Sequence, residues 1–284
     1  MGFLSRSIKR PFDPVYRLFQ RRKANQSSGW VFIIPSLVLV GLIGLPLVAL
    51  IWRSIDKDFL AYMLSENALS ALKLSLLTSI ISVGLALLTG TPLAYLLVHW
   101  KFPGRTLVDM LVDLPVVLPP AVAGIALLMA FGRMGIFGTW LNASGITIPF
   151  TTAAVVMAQT FVSAPFLVRS AKIGFAAIDP QQQEAARMEG ANEWQVFRYI
   201  MFPLAGRAVL TGIILTWTRA LGEFGATILF AGNLEGTTQT MPLAIYIGFE
   251  QNIKIASVLS VMLLAVSLVF MAILRKLEEP ESEP

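Results

Sequence analysis

Residues 184–203 read EAARMEGANEWQVFRYIMFP and carry five charged side chains, Glu184, Arg187, Glu189, Glu193 and Arg198. The segments on both sides are apolar enough to lie in lipid, so the interruption requires a reason. Its local signals predict two short helices. Asp179 caps the first, with Pro180 at the favoured first position and Gln182 placed for a capping box. Gly190 suits the left-handed residue that closes a helix. Asn192 then caps the second, with Gln195 three residues on, and Pro203 stops it. Helices of about ten residues are marginal alone in water, so these need a surface to pack on. The second is expected to present Trp194, Phe197 and Ile200 or Met201 to a partner, with Glu193 and Arg198 facing elsewhere. A solvated loop lying on the protein's own helix ends satisfies the same signals.

The surroundings are those of a membrane protein. The 284 residues are 56% hydrophobic and only 14% charged, against about 25% charged for a soluble domain, and the mean hydropathy is +0.71. Cysteine is absent, which excludes disulfides, thiolate metal sites and a cysteine nucleophile. Six stretches are long enough to cross the hydrocarbon core: 31–51, 72–98, 107–131, 150–168, 208–229 and 255–274. The second and third are interrupted by Gly84, Gly90, Pro92 and the run LPVVLPP ending at Pro119 and Pro120.

Basic residues orient the chain. Arg6, Lys9, Arg10, Arg17, Arg21, Arg22 and Lys23 precede the first stretch, and Lys101 and Arg105 follow the second. Arg169, Lys172, Arg187, Arg198 and Arg207 follow the fourth, and Arg275 and Lys276 the sixth. The other side holds only Arg53, Lys57, Lys73, Arg133 and Lys254. Both termini and the charged loop are therefore expected in the cytoplasm of a multi-pass plasma (inner) membrane protein. The domain plan is a basic arm over 1–29, a transmembrane body over 30–277 containing the loop 179–203, and an acidic tail over 278–284. The first apolar stretch is too long, and its basic lead-in too extended, for a cleaved signal. The arm lies along anionic lipid or simply sets orientation.

Catalytic machinery is missing. No G-x-x-x-x-G-K-[S/T] occurs, so no P-loop cradles a triphosphate. His99, the only histidine, has no ligand cluster around it and reads as interfacial polar surface. Asp109 and Asp113 would serve as an acid–base or cation pair, but cap-and-ion-pair roles with loop arginines fit them better. Catalytic residues and metal ligands are expected to be none.

The spacing Glu184-Ala185-Ala186, three residues, Gly190, nine residues, Ile200, one residue, Phe202-Pro203 resembles the EAA loop of ABC-transporter permeases, with Phe202 where the family has leucine. Residues 92–135, including LVDLPVVLPPAVAGIALL, and residues 219–246, RALGEFGATILFAGNLEGTTQTMPLAIY, resemble the molybdate/tungstate permeases of the oxyanion branch; sulfate/thiosulfate permeases share the ALGEFGA-like core. The resemblance covers roughly residues 72–274. It implies an all-α, six-span, type I (MetI-like) importer permease that works as a homodimer. Implied partners are two ATP-binding cassette subunits, docked on the EAA loop, and an external substrate-binding protein. ATP and Mg would be bound by the ATPase, leaving this chain without a cofactor, and no nucleic acid is implied.

For a tetrahedral dianion, uncharged hydrogen-bond donors suit a weakly binding path. Gln159, Thr160, Ser163 and Thr216 are candidate lining groups, although small polar residues equally serve helix packing. Arg219 and Glu223 stand four apart, on the order of 24 Å along the fifth stretch from Pro203. Ionisable groups at such depth are costly. Arg before Glu is the less favourable order on one helix, which points to partners elsewhere and to a structural or outer-gate role over direct contact with substrate. An ion-driven secondary transporter is the rival class, and it would want repeated broken helices or a midplane carboxylate; the chain shows neither.

Overall fold

A computed structural model describes residues 30–278. The basic arm 1–29 and the tail from 279 onward lie outside the described residues. Every regular element among those described is helical. The chain divides into two compact units at Arg53 and Ser54.

The first unit contributes α1, Trp30–Ser54, a 25-residue helix about 38 Å long. Its apolar side chains are exposed on all sides, as a helix solvated by lipid requires.

The second unit starts with the short α2, Phe59–Met63, and then α3, Glu66–His99. The Ser65 hydroxyl accepts the Ala68 N–H at 3.3 Å, so α3 begins six residues before its apolar stretch. Its 34 residues span about 51 Å, well over the roughly 30 Å hydrocarbon core. The expected third span resolves into α4, Arg105–Val117, and α5, Pro120–Phe131. Leu118 is held extended, with ψ 135°, because Pro119 disfavours helical geometry in the residue before it. After α6, Gly138–Ala143, Thr151 caps α7, Thr152–Ala176, by accepting from the Ala154 N–H. α7 runs eight residues past the apolar stretch and carries Arg169 and Lys172 with it.

The charged loop forms α8, Pro180–Met188, α9, Glu193–Val196, a π-helical turn over Phe197–Met201, and α10, Phe202–Leu204. The expected fifth span is α11, Gly206–Leu221, plus α12, Gly225–Phe230, with a break at residues 222–224. Then come α13, Met241–Gln251, and α14, Ile253–Glu278. The apolar pattern did not single out α13.

Among the described residues α1, α3, α7 and α14 are individually long and apolar enough to cross a membrane. The run from α9 to α11, bent by 73°, makes a fifth candidate. The α4–α5 pair covers the remaining expected span, so the six-span expectation is compatible with this set. α3, α7 and α11 pack on one another. Leu97, Leu167, Phe175, Val196 and Met201 fill one apolar cluster with almost no exposure. A second cluster joins α5, α7 and α12 around Phe230. α13 lies against α14 and α3.

Candidate functional site

The loop is built by its caps. Asp179 Oδ1 accepts the Gln181 N–H at 2.9 Å. The reciprocal bond from Gln182 expected of a capping box does not form. Gly190 has φ +93°, and its N–H donates to Arg187 O at 3.0 Å while Ala191 N–H reaches Ala186 O at 3.0 Å. Those bonds reverse the chain as a left-handed closure should. Asn192 and Gln195 form the full capping box, at 2.9 and 2.8 Å.

Beyond Asn192 the structure corrects the expected partner surface. Val196 and Met201 are completely buried in this chain's own core. The Phe197 ring sits 5.0 Å from that of Tyr95. Of the expected partner-facing residues only Trp194, 66% exposed, remains outward; Ile200 is half-buried. The cause is the π turn: one more residue per turn rotates the later side chains relative to an α-helical count. Pro203 does not stop the helix either. The Phe202 N–H bonds to Phe197 O in the i to i−5 pattern, and the helix continues to Leu204 before the 73° bend.

Glu193 was expected to face away, but it folds back to take Arg187 in a two-pronged pair, at 2.9 and 3.1 Å. That contact holds the Arg187 guanidinium's pKa above its ordinary value. Glu184, Ala185, Met188 and Glu189 are left exposed along α8, whereas Ala186 packs against the core. Glu184, Ala185, Ala186 and Gly190 thus form one compact unit, and Ile200 and Pro203 lie further along the anchor that ties it to α11.

His99 has a larger part than its sequence position suggested. Its Nδ1 is 3.0 Å from Tyr95 O, its ring stacks on Tyr95 at 4.3 Å, and its Nε2 is 3.1 Å from Gln183 Nε2. A neutral ring that donates from Nδ1 and accepts the Gln183 amide at Nε2 fits this geometry. His99 therefore links the end of α3 to α8. No local pattern connects residues 84 apart, and sequence reasoning missed the pair.

Asp113 pairs with Arg169 at 2.6 Å, and Asp109 with Lys172. They tie α4 to α7 and cap nothing, since Gly104 stands at the N-cap without a side-chain bond. The two carboxylates are committed to separate cations, which removes the acid–base alternative.

At the far end of α11, Arg219 Nη1 lies 2.5 Å from Glu223 Oε2. Glu223 Oε1 accepts the Ala226 N–H at 2.7 Å, and the residue is 1% exposed. The pair closes within this chain, not onto another element. The expected penalty for Arg before Glu fails because α11 ends at Leu221 and Glu223 is free of helical geometry. A Cβ on Gly225 would stand 2.6 Å from Pro120 Cβ, whereas one on Gly222 would meet nothing closer than 3.6 Å. Of these two glycines, Gly225 is the one at a close approach.

Of the four candidate lining groups, Gln159, Ser163 and Thr216 are fully buried, and Thr160 is half-buried with its hydroxyl donating to Val156 O at 2.7 Å. The Gln159 side-chain oxygen is 3.2 Å from the Ser82 hydroxyl. These groups lie on α7 and α11 within the α3–α7–α11 packing.

Comparison with known proteins follows the same lines. Residues 82–280 match the model of the family described as binding-protein-dependent transport system inner membrane component. The chain is 40% identical over 240 residues to the molybdenum transport system permease protein ModB of Mycobacterium bovis, covering 84% of this chain and 90% of the relative. It is 34% identical over 231 residues to the sulfate transport system permease protein CysT of Escherichia coli, covering 80% and 83%. A crystal structure of a bacterial ABC transporter involved in import of the acidic polysaccharide alginate shares the fold, with TM-score 0.70 at 18% identity over 94% of this chain and 100% of that one. The chain belongs to the binding-protein-dependent inner-membrane permeases of ABC importers, in the branch that holds the molybdenum and sulfate transport permeases.

Proposed function

We propose that this permease forms, as a homodimer, the path by which molybdate or tungstate enters the cell, driven by two ATP-hydrolysing subunits docked on residues 179–203. A substrate-binding protein delivers the anion from outside. The observation that carries the coupling role is the geometry of the loop. Glu184, Ala185, Met188 and Glu189 are presented outward, while Val196 and Met201 anchor the following turn in the core without exposure. A push on α8 therefore reaches α3 through Gln183 and His99, and reaches α11 through the π turn and the bend. Closing and opening of the ATPase pair would shift the population between inward- and outward-facing pores. The ATPase supplies the ATP and Mg chemistry; this chain supplies the handle and the path.

The Arg219–Glu223 pair serves as an outer clamp. It holds the start of α12 against α5 at Gly225 and Pro120, so parting it would loosen the far end of the path. Gln159, Ser163 and Thr216 would meet solute only after α3, α7 and α11 part, and Thr160 is the more accessible of the four. Molybdate or tungstate is favoured over sulfate by the higher identity to the molybdenum permease, 40% against 34%.

The test is reconstitution of the complete complex with its binding protein and measurement of ATP hydrolysis with molybdate, tungstate and sulfate. Stimulation by the first two is expected. Stimulation by sulfate alone would assign the protein to sulfate transport, and failure to retain any ATPase subunit would overturn the coupling role.

A further inference from the structure

The start of α13 is built unlike the starts of α3, α7 and α8. Ser65, Thr151 and Asp179 each accept an N–H of the helix they precede. Thr240 stands in the same position before α13 and makes no such bond. Its hydroxyl is completely buried and has no hydrogen-bond partner, which is costly for a polar group in the interior.

The first turn of α13 brings further donors to the same spot. N–H groups at a helix start have no carbonyl within the helix to bond. Met241 N–H is taken instead by the Ser75 hydroxyl of α3, at 2.7 Å, and a serine oxygen that accepts keeps its own proton to donate. Pro242 has no N–H. Leu243 N–H, third in the helix, is a group that a capping threonine ordinarily takes. Ser75, Thr240, Met241 and Leu243 are all completely buried. Two hydroxyls and two backbone N–H groups thus meet at the partly positive end of an 11-residue helix.

The chemistry of these groups selects the ligand. All four can donate, none carries a formal charge, and the dipole favours an anion. A small oxyanion fits such a set, and without a lysine or arginine among the four residues it would be held loosely enough to leave. The place of the site joins it to the path. Ser75, Thr78, Ser79 and Ser82 are completely buried and, at this spacing, share one face of α3. Ser82 meets the Gln159 side chain at 3.2 Å, about 10 Å along the helix from Ser75. Ser75 is in turn about 36 Å from the His99 end of α3. With the charged loop in the cytoplasm, the start of α13 therefore lies towards the outer surface and Gln159 deeper.

We propose that the start of α13 is a station that holds the incoming oxyanion before it passes inward to the level of Gln159. The station rests on the importer function proposed above. In this structure Ser75 occupies the Met241 N–H. Movement of α13 away from α3 would free the Met241 and Leu243 N–H groups to bind the anion together with the Thr240 and Ser75 hydroxyls.

The experiment uses the permease–ATPase complex in lipid nanodiscs, without binding protein. Retention of radiolabelled tungstate is measured with the ATPase pair empty and with it closed by a non-hydrolysable ATP analogue. The wild type should retain tungstate in at least one of the two states, and molybdate should displace it. Thr240→Val, which keeps the shape and loses the hydroxyl, and Ser75→Ala should each bind about tenfold more weakly, the effect of one lost hydrogen bond to a charged group. Thr240→Ser should restore binding. Thr91→Val removes another buried, unpartnered hydroxyl of α3, eight residues before His99, and should bind like the wild type. No retention by the wild type in either state, or equal retention by Thr240→Val and the wild type, would overturn the station. Equal loss in Thr91→Val and Thr240→Val would trace the effect to loosened helices and overturn it as well. The importer function is scored separately, by transport with the binding protein present: a wild-type complex that moves no oxyanion would overturn that function itself.

Discussion

Replacing Arg219 by alanine should damage this protein more than neutralising its partner. Glu223 is 1% exposed and holds two bonds, to Arg219 at 2.5 Å and to the Ala226 N–H at 2.7 Å. Arg219→Ala leaves a buried carboxylate with one backbone donor and no countercharge, which costs about 3–5 kcal/mol. Glu223→Gln keeps an oxygen for the Ala226 N–H and strands only a guanidinium whose side chain is 29% exposed and so is partly solvated. Its cost should be about 1–2 kcal/mol, that of a lost charge-assisted bond. At roughly 2–4 °C per kcal/mol for a chain of this size, Arg219→Ala should lower the melting temperature of the purified complex by about 6–20 °C. Glu223→Gln should lower it by less than half of that. Combining Arg219→Met with Glu223→Gln removes both charges and keeps the cap, so the double variant should recover most of the loss. Thermal unfolding in nanodiscs measures stability, and basal ATPase activity without substrate measures clamping: the single variants should raise it if the pair holds the path closed. Equal destabilisation by both single variants, additive in the double and with normal basal activity, would refute the clamp.

Glu184→Lys and Gly190→Val should leave the protein in the membrane but abolish substrate-driven ATP hydrolysis, because valine at φ +93° is strained and the lysine reverses a charge presented to the ATPase; transport retained by both would remove the coupling role. Asn192→Ala removes the accepting side of a complete capping box and should cost about 1 kcal/mol, read as faster proteolysis of the loop at otherwise normal membrane yield. Gln183→Ala should uncouple α8 from His99, which it meets at 3.1 Å, and raise the binding-protein concentration needed for half-maximal ATPase stimulation; an unchanged titration would show that the link carries nothing. Single cysteines at Lys23, His99, Glu189 and Glu279 should label from the cytoplasm, and those at Lys57, Asn142 and Glu235 from outside; external labelling at Glu189 would invert the topology.

Local signals carried much of this protein. Gly190, Asn192 and Gln195 each do what their side chains predict, because caps and left-handed closures involve neighbours within a few residues. Apolar length located α1, α3, α7 and α14 for the same reason: crossing lipid is a property of the segment itself. Helix ends were less legible, since Ser65 starts α3 within a polar stretch and α7 runs on past its apolar residues. What only the tertiary structure decided are the contacts that join distant residues or change helical register. Phe197 packs on Tyr95, and Met201, at the end of the π turn, enters the core, although an α-helical count assigns such positions to a partner. The break at residues 222–224 let Arg219 and Glu223 pair, although a continuous helix would have disfavoured their order. His99 meets Gln183 and Asn67 meets Glu235, because α3 is long enough to bring one end to the charged loop and the other to the connection after α12. No periodicity in a single sequence encodes such meetings; they follow from which helix faces pack, and that is settled by the shape of the whole core.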